Sequence, residues 1–279
     1  MMNNRIIFKK NIAQNIYLIE IISPQIAKKS LPGQFIILLC NSTGERIPLT
    51  VVDKNIEKGT ITLVFQVVGK TTQLLSKLNQ DDTVEHLVGP LGNPTEIKKY
   101  GNVITIGGGV GIAEILPVSK GLKNIGNKLT CIIGTRTKEQ LFFEQELRQI
   151  CDEIFVTTND GSYGIKGFVS DVLENILKTS KPDIVYAVGP IPMMRVVSDL
   201  TKKYNVYTTV SLNPIMVDGT GMCGSCRVTV DGKTKFACVD GPEFDAHKVD
   251  WKELENRTKQ FVQQEKCALE YYEKRIKSC

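Results

Sequence analysis

The sequence predicts three joined parts: an antiparallel β-barrel, a doubly wound parallel α/β sheet and a small cysteine-bearing module. Three observations carry this. Six short runs rich in Ile, Val, Leu and Thr crowd residues 1–97, with turn signals between them. From residue 98 apolar strand cores alternate with helix-length stretches. From about residue 209 the chain turns loop-like and gathers Cys223, Cys226 and Cys238.

The barrel runs are "RIIFKK", "NIYLIEII", "GQFIILLC", "PLTVVD", "TITLVFQVV" and "TVEHLVG". "KNIEKGT" supplies a hairpin turn between the fourth and fifth, and residues 72–79 form one short helical piece. Closely spaced strands with so little helix favour a small closed antiparallel architecture.

The second part pairs "NVITIG" with a helix through "IAEILPVSKGLKN" and "KLTCIIGT" with one helix through "KEQLFFEQELRQI". "EIFVTT" leads to "GFVSDVLENILK" and "DIVYAVG" to "IPMMRVVSDLTKKY", after which "VYTTVS" closes the sheet. These boundaries divide the chain into 1–97, 98–208, 209–254 and a polar, helix-prone tail, 255–279, that packs against another part.

The composition narrows the function classes. Of 279 residues 42% are hydrophobic and 23% charged, an ordinary globular balance. The net charge of +5 comes from dispersed Lys and Arg rather than a basic block, which argues against nucleic-acid binding. Glu20 interrupts the only apolar run near the N-terminus, so neither a signal peptide nor a membrane span is expected, and the chain reads as cytoplasmic. Eight cysteines in that setting stay reduced, as metal ligands or buried thiols.

Six motifs carry chemistry. In "RIPLTVVD", Arg46 suits bidentate phosphate contact and the Thr50 hydroxyl suits the edge of a flavin ring. In "VVGKTT", Gly69 lets backbone amides approach an anion, while Thr71 and Thr72 suit capping of the short helix. "GGGVGIAE", 107–114, follows a strand and opens a helix, where glycines admit a pyrophosphate to the helix N-terminus. It departs from G-x-G-x-x-G, because Ile112 stands at the last position. "VGPIPMM", 188–194, lies where ligands bind beyond the carboxyl ends of parallel strands. Arg136 in "GTRTKEQ" points to an adenosine-side phosphate, but Glu139 leaves NAD against NADP open.

The last motif, "MVDGTGMCGSCRVTV", pairs Cys223 and Cys226 as C-x₂-C, with Cys238 following after the turn "VDGK". A plant-type [2Fe–2S] site is spaced C-x₄-C-x₂-C with a later fourth cysteine. Counting back five positions from Cys223 gives Asp218, an oxygen donor in the place of the first ligand. Gly219, Gly221, Gly224 and Ser225 suit a loop that wraps a cluster closely. Zinc is the alternative, as part of a non-enzymatic nucleotide-binding module, although His86 and His247 are the only histidines and neither completes a knuckle. His247 is at most a substitute fourth ligand. Cys40, Cys131 and Cys151 read as buried hydrophobes, and Cys267 and Cys279 lack spaced partners.

Barrel, glycine-rich α/β part and cysteine loop, in this order, resemble the ferredoxin–NADP reductase superfamily. Within it they resemble the electron-transfer subunits of dihydroorotate dehydrogenase B and their relatives. "RIPLTVVD", "QVVGKTT", "GGGVGIAE", "TNDGSYGIKGFVSDVL", "VGPIPMM" and "DGTGMCGSCRVTV…FACVDGPEFD" carry the resemblance, which covers residues 1 to about 255. It implies FAD on the barrel at Arg46, Pro48, Leu49, Thr50, Gly69, Thr71 and Thr72. It implies NAD(H) or NADP(H) at Gly108, Gly109, Gly111, Arg136, Asp160, Gly189 and Met193, and a [2Fe–2S] cluster at Asp218, Cys223, Cys226 and Cys238.

Asp218 separates the branches of the family. The dihydroorotate members resemble a four-cysteine site, whereas the electron-bifurcating, ferredoxin-linked members are similar to this chain. The resemblance therefore implies a relay from NAD(P)H through FAD and the cluster to a larger flavin- and iron–sulfur-bearing partner subunit, with ferredoxin engaged indirectly. Electron transfer to dihydroorotate dehydrogenase B or within a sulfide dehydrogenase is the alternative. No acid–base pair is required for hydride transfer, in keeping with the absence of any such constellation from the sequence.

Overall fold

The computed structural model describes residues 4–277. Cys279 lies outside the described residues. The first sheet has six strands: β1 (Ile6–Ala13), β2 (Ile16–Ile22), β3 (Phe35–Leu39), β4 (Arg46–Asn55), β5 (Thr60–Gln66) and β6 (His86–Leu91). They run antiparallel in the order β1-β2-β5-β4-β3-β6. The sheet closes because β1 also pairs with the segment leading into β6: Ile6 N donates to Asp82 O and Asp81 N to Ile6 O, each at 2.8 Å. Ile6, Ile19, Ile36, Leu63 and Phe65 fill its interior. Alternating β-branched residues thus close the predicted barrel. Two helices attach to it, α1 (Pro24–Lys29) and α2 (Lys70–Lys77), the second starting two residues earlier than the sequence signal suggested.

The second sheet comprises β7 (Asn102–Gly108), β8 (Lys128–Thr135), β9 (Glu153–Thr158), β10 (Ile165–Lys166), β11 (Ile184–Val188) and β12 (Thr208–Ser211). These six strands run parallel. Helices α3 (Gly111–Asn124) and α4 (Glu144–Ile150) pack on one face. Helices α5 (Val169–Thr179) and α6 (Ile191–Lys203) pack on the other. That is the doubly wound arrangement.

Two expectations fail here. The stretch 138–150 is not one helix: a 3-10 turn at Lys138–Gln140 ends before Phe143, whose φ of +56° restarts the chain as α4. Periodicity did not reveal that left-handed break, since both halves are helix-prone. Nor does "VYTTVS" close the sheet. β12 is covered by an antiparallel strand, β15 (Glu243–Asp245), which returns from beyond the cysteines.

Between them β13 (Arg227–Val230) and β14 (Lys233–Phe236) form a hairpin. Its two-residue turn, Asp231–Gly232, has both φ angles positive, as a type I′ connection requires. The tail forms α7 (Trp251–Thr258) and α8 (Val262–Lys277). α8 returns to the barrel against α2, where Gln73 donates to Glu273 at 3.0 Å and Lys77 lies 4.9 Å from the Tyr272 ring centre. Among the described residues no helix is long and apolar enough to cross a membrane.

Candidate functional site: a barrel–sheet cavity and a cysteine loop

A cavity of about 420 Å³ opens between the barrel and the carboxyl ends of β7, β11 and β12. Pro48, Leu49 and Thr50 of β4 line one wall, and Gly108, Gly109, Gly111 and Gly189 line the other. The register explains the first wall: β4 pairs with the buried β3, Thr50 opposite Phe35, which turns Thr50 toward α3. Val52 and Val64 on the barrel exterior pack with Ile112 and Ala113 of α3, so hydrophobic burial sets the two walls against each other.

The start of α2 forms the rim. Glu45 N donates to Thr71 Oγ1 at 2.9 Å, tying α2 to the beginning of β4. Val68 N and Gly69 N each donate to Thr72 Oγ1 at 3.0 Å, so Thr72 caps the helix and also lines the cavity. Arg46, the first residue of β4 and opposite Leu39 in the ladder, is exposed beside this rim. A Cβ at Gly69 would meet no atom within 4 Å, so its backbone faces an open groove.

In the β7–α3 turn each glycine answers a different constraint. Gly109 takes φ +55°, and a Cβ there would also project into open space. At Gly111 a Cβ would stand 2.5 Å from the Val188 carbonyl oxygen, so only glycine lets α3 begin so close to β11. Gly108 is pressed by Met193, whose sulfur would lie 2.3 Å from a Cβ at that position. Met193 therefore backs the turn rather than lining the cavity. This open, glycine-built strand-to-helix turn fits a pyrophosphate, and the apolar slot beside Thr50 fits a flat ring.

Arg136 and Asp160 do not reach the cavity lining. They sit on adjoining loops beyond β8 and β9, joined by Asp160 N donating to Arg136 O at 3.2 Å. The Asp160 carboxylate accepts from Ser162 N at 3.0 Å and from Ser162 Oγ at 2.7 Å, which holds it below the usual carboxylate range.

The cysteine loop leads into the hairpin and, at Gly219, lies against Ile37 and Leu91 of the barrel. Cys226 and Cys238 are buried with their sulfurs 3.2 Å apart, and Cys223 is exposed at the tip. Asp218 Oδ2 accepts from Cys223 N and Oδ1 from Thr220 N, both at 2.8 Å, and these amides hold the carboxyl low. The Ser225 hydroxyl lowers the Cys223 thiol, while burial pushes Cys238 up to about 12. Gly219, Gly221 and Gly224 have φ of +77°, +84° and +66°, which folds the loop back on itself.

The structure thus joins two donors as a thiol pair and the other two through a backbone hydrogen bond. Among the described residues it draws no group of three or more His, Cys, Asp or Glu into one metal-binding cluster. The donor set of three thiols and one carboxylate fits an iron–sulfur centre, and ligation competes with the amides Asp218 now accepts from. His247 is not part of this loop: its Nε2 lies 3.0 Å from Thr201 Oγ1 of α6. His86 is exposed on β6.

Sequence reasoning missed three residues. Glu114 accepts from Thr50 Oγ1 at 3.1 Å, and Ser211 Oγ donates a short hydrogen bond to its other oxygen. Burial pushes Glu114 up to about 7. A carboxylate between buried Ala113 and Ile115 was the available signal. Arg257 donates to Ser225 O at 3.2 Å, pinning the cysteine loop from α7, and nothing in the sequence pairs the two.

Comparison with known proteins converges on the same parts. Residues 213–250 match the iron–sulfur cluster binding domain of dihydroorotate dehydrogenase B, and residues 105–199 match the oxidoreductase NAD-binding domain. The chain is 49% identical, over 96% of its length and 95% of the relative, to a dihydroorotate dehydrogenase B electron transfer subunit homolog from Thermotoga maritima. It is 35% identical, over 89% of its length and 98% of the relative, to a dihydroorotate dehydrogenase B electron transfer subunit from Caldanaerobacter subterraneus. It superposes with a TM-score of 0.91 and 49% identity on a chain of the NADH-dependent reduced ferredoxin-NADP oxidoreductase, solved for insight into flavin-based electron bifurcation, covering 96% of this chain and 97% of that one. Phthalate dioxygenase reductase, 20% identical with a TM-score of 0.58 over 81% of this chain and 85% of that one, shares the fold. The chain belongs to the family of the dihydroorotate dehydrogenase B electron-transfer subunits and their homologues, oxidoreductase subunits that join an NAD-binding domain to an iron–sulfur domain.

Proposed function

We propose that this chain is a cytoplasmic flavin-dependent NAD(P)H oxidoreductase subunit that exchanges electrons with a larger partner subunit in ferredoxin-linked electron bifurcation. The observation that carries the reading is the cavity walled jointly by the "RIPLT" strand, the start of α2 and the glycine turns after β7 and β11. FAD would be held by Pro48, Leu49 and Thr50 along its ring, with Arg46, Gly69, Thr71 and Thr72 at its diphosphate. The nicotinamide nucleotide would lie over Gly108, Gly109, Gly111 and Gly189, backed by Met193, with Arg136 and Asp160 toward its adenosine end. Asp218, Cys223, Cys226 and Cys238 would hold a [2Fe–2S] cluster.

When bound, FAD supplies the conversion between two-electron hydride transfer and one-electron transfer. The protein's part is positioning: apolar walls exclude water from the ring, and Thr50 and the glycine turns fix the approach of one ring to the other. Asp218 favours the bifurcating reading over electron supply to a dihydroorotate dehydrogenase, since the resemblance separates those branches at this residue.

The purified full chain, reconstituted with FAD and iron and sulfide, tests the reading. Flavin and cluster absorption with about two irons per chain are expected. Asp218→Cys should keep a cluster with altered spectrum and potential, and Asp218→Ala should lose most of it. Full, spectrally unchanged loading of Asp218→Ala would refute ligation by this carboxylate. Co-purification of a larger flavin- and iron–sulfur-bearing subunit supports the assembly; a partner that oxidises dihydroorotate favours the alternative.

A further inference from the structure

The β7–α3 turn carries a carboxyl group that neither phosphate binding nor helix packing requires. Glu114 lines the cavity in the first turn of α3, with both oxygens engaged: Oε2 by Thr50 Oγ1 at 3.1 Å and Oε1 by Ser211 Oγ. No Lys, Arg or His is among the described residues lining that cavity, so no cation neutralises it. The titratable groups that face it are Glu243 of β15, beside Ser211 in the sheet, and Tyr186 of β11. Tyr186 Oη donates to Glu243 Oε1 at 2.8 Å, and Thr95 Oγ1 donates a short hydrogen bond to the same oxygen. Glu243 is thereby held by its own partners, and Glu114 is left to Thr50 and Ser211.

We propose that Glu114 takes up, through the Thr50 hydroxyl, the proton that hydride transfer leaves in the cavity, and returns it when electrons flow the other way. The inference rests on the flavin being seated against Thr50. A dihydronicotinamide delivers two electrons and one proton together as hydride and is itself oxidised. When an iron–sulfur cluster withdraws the electrons one at a time, the proton has to leave. The Thr50 oxygen accepts it as the existing Thr50 O–H bond breaks, and a new O–H bond forms at Glu114 Oε2, converting carboxylate to carboxylic acid. The two electrons pass singly through the cluster to the flavin- and iron–sulfur-bearing partner subunit, which is reduced, while the one proton stays on Glu114, so atoms, electrons and charge balance. The raised affinity of Glu114 for a proton, from burial first, places this exchange near neutral pH.

The test uses the full chain loaded with FAD and its cluster. Infrared difference spectra between oxidised and reduced flavin should show a carboxylic-acid band that moves in D₂O and is lost in Glu114→Gln. The flavin midpoint potential, followed across neutral pH, should change slope near pH 7 in the parent and not in Glu114→Gln. A band and a slope change that survive Glu114→Gln overturn the proposal. Should Glu114→Gln fail to fold, Thr50→Val interrupts the same path at its other end and must erase the band; persistence of the band overturns the proposal equally. Failure of the parent chain to take up FAD overturns the flavin reading itself, whereas uptake without the Glu114 signature overturns the proton role alone.

Discussion

The cavity takes its walls from the ends of regular elements, namely β4, α2, β7, β11 and β12, whereas the cysteine loop takes three of its four donors from one stretch of turns. In the cavity Pro48, Leu49, Thr50, Gly108 and Gly111 are held by ladders or a helix that would exist without a ligand, and Gly109 and Gly189 sit in the short turns between such elements. In the loop, the Asp218 carboxylate bonds the amides of its own turn, and only Cys226 and Cys238 are locked in the core. The cavity is therefore preorganised by backbone hydrogen bonds and apolar packing. The proposed cluster would set the loop's final geometry, because thiolate ligation and local folding are coupled.

The predictions press on that difference. The largest effect is expected for Cys238→Ala, which removes one of the two buried donors: cluster absorption and iron content should fall to background while FAD uptake persists. Iron and flavin assays on the same sample check it, and loss of both cofactors together would break the proposed independence of the two sites. Next, Gly111→Ala forces a Cβ against the Val188 carbonyl oxygen, backbone that cannot step aside. Overpacking of this kind costs about 3 kcal/mol, to be read from chemical denaturation. Gly69→Ala is the control, since its Cβ meets nothing within 4 Å and its φ is an ordinary −142°. Stability should change there by less than about 1 kcal/mol.

Glu114 sharpens the comparison through pH. Its folded affinity for a proton is raised to about 7 from 4.5, so the fold is favoured while Glu114 is protonated and penalised as pH rises through 7. Glu114→Gln removes that penalty. The variant should gain on the parent between roughly pH 4.5 and 7, by on the order of 3 kcal/mol at the alkaline end, in thermal unfolding of the cofactor-free chain. Toward its ligand the same Gly69→Ala should weaken FAD binding by about tenfold, or 1.4 kcal/mol, measured by fluorescence titration.

Much of the frame was legible because period and punctuation survive in the chain. Thr alternating with Ile and Leu in "TITLVFQ" marks β5, "VDGK" marks the β13–β14 turn, and glycines after "NVITI" mark the β7–α3 turn. The helix expected at 138–150 failed because Phe143 adopts a left-handed conformation that its residue type does not advertise. β15 stayed hidden because three residues, "EFD", carry no period; its place beside β12 is set by long-range pairing. Glu114 was in view inside a quoted motif, yet its hydrogen-bond partners, Thr50 and Ser211, lie 64 and 97 residues away in sequence.

What the sequence determined by itself was local: which runs form strands, where glycine is needed, which four donors share a cluster spacing and which family the motifs resemble. Each follows from side-chain chemistry within a few residues, or from spacing along the chain. Tertiary structure alone decided that β4 and α3 meet to make one cavity, that Arg136 and Asp160 stand outside its lining, and that α8 returns to the barrel at α2. It also set a carboxyl without a cation against the hydroxyl of Thr50. Those outcomes come from burying distant apolar faces together, and the polar groups carried along with them meet in arrangements no local signal encodes.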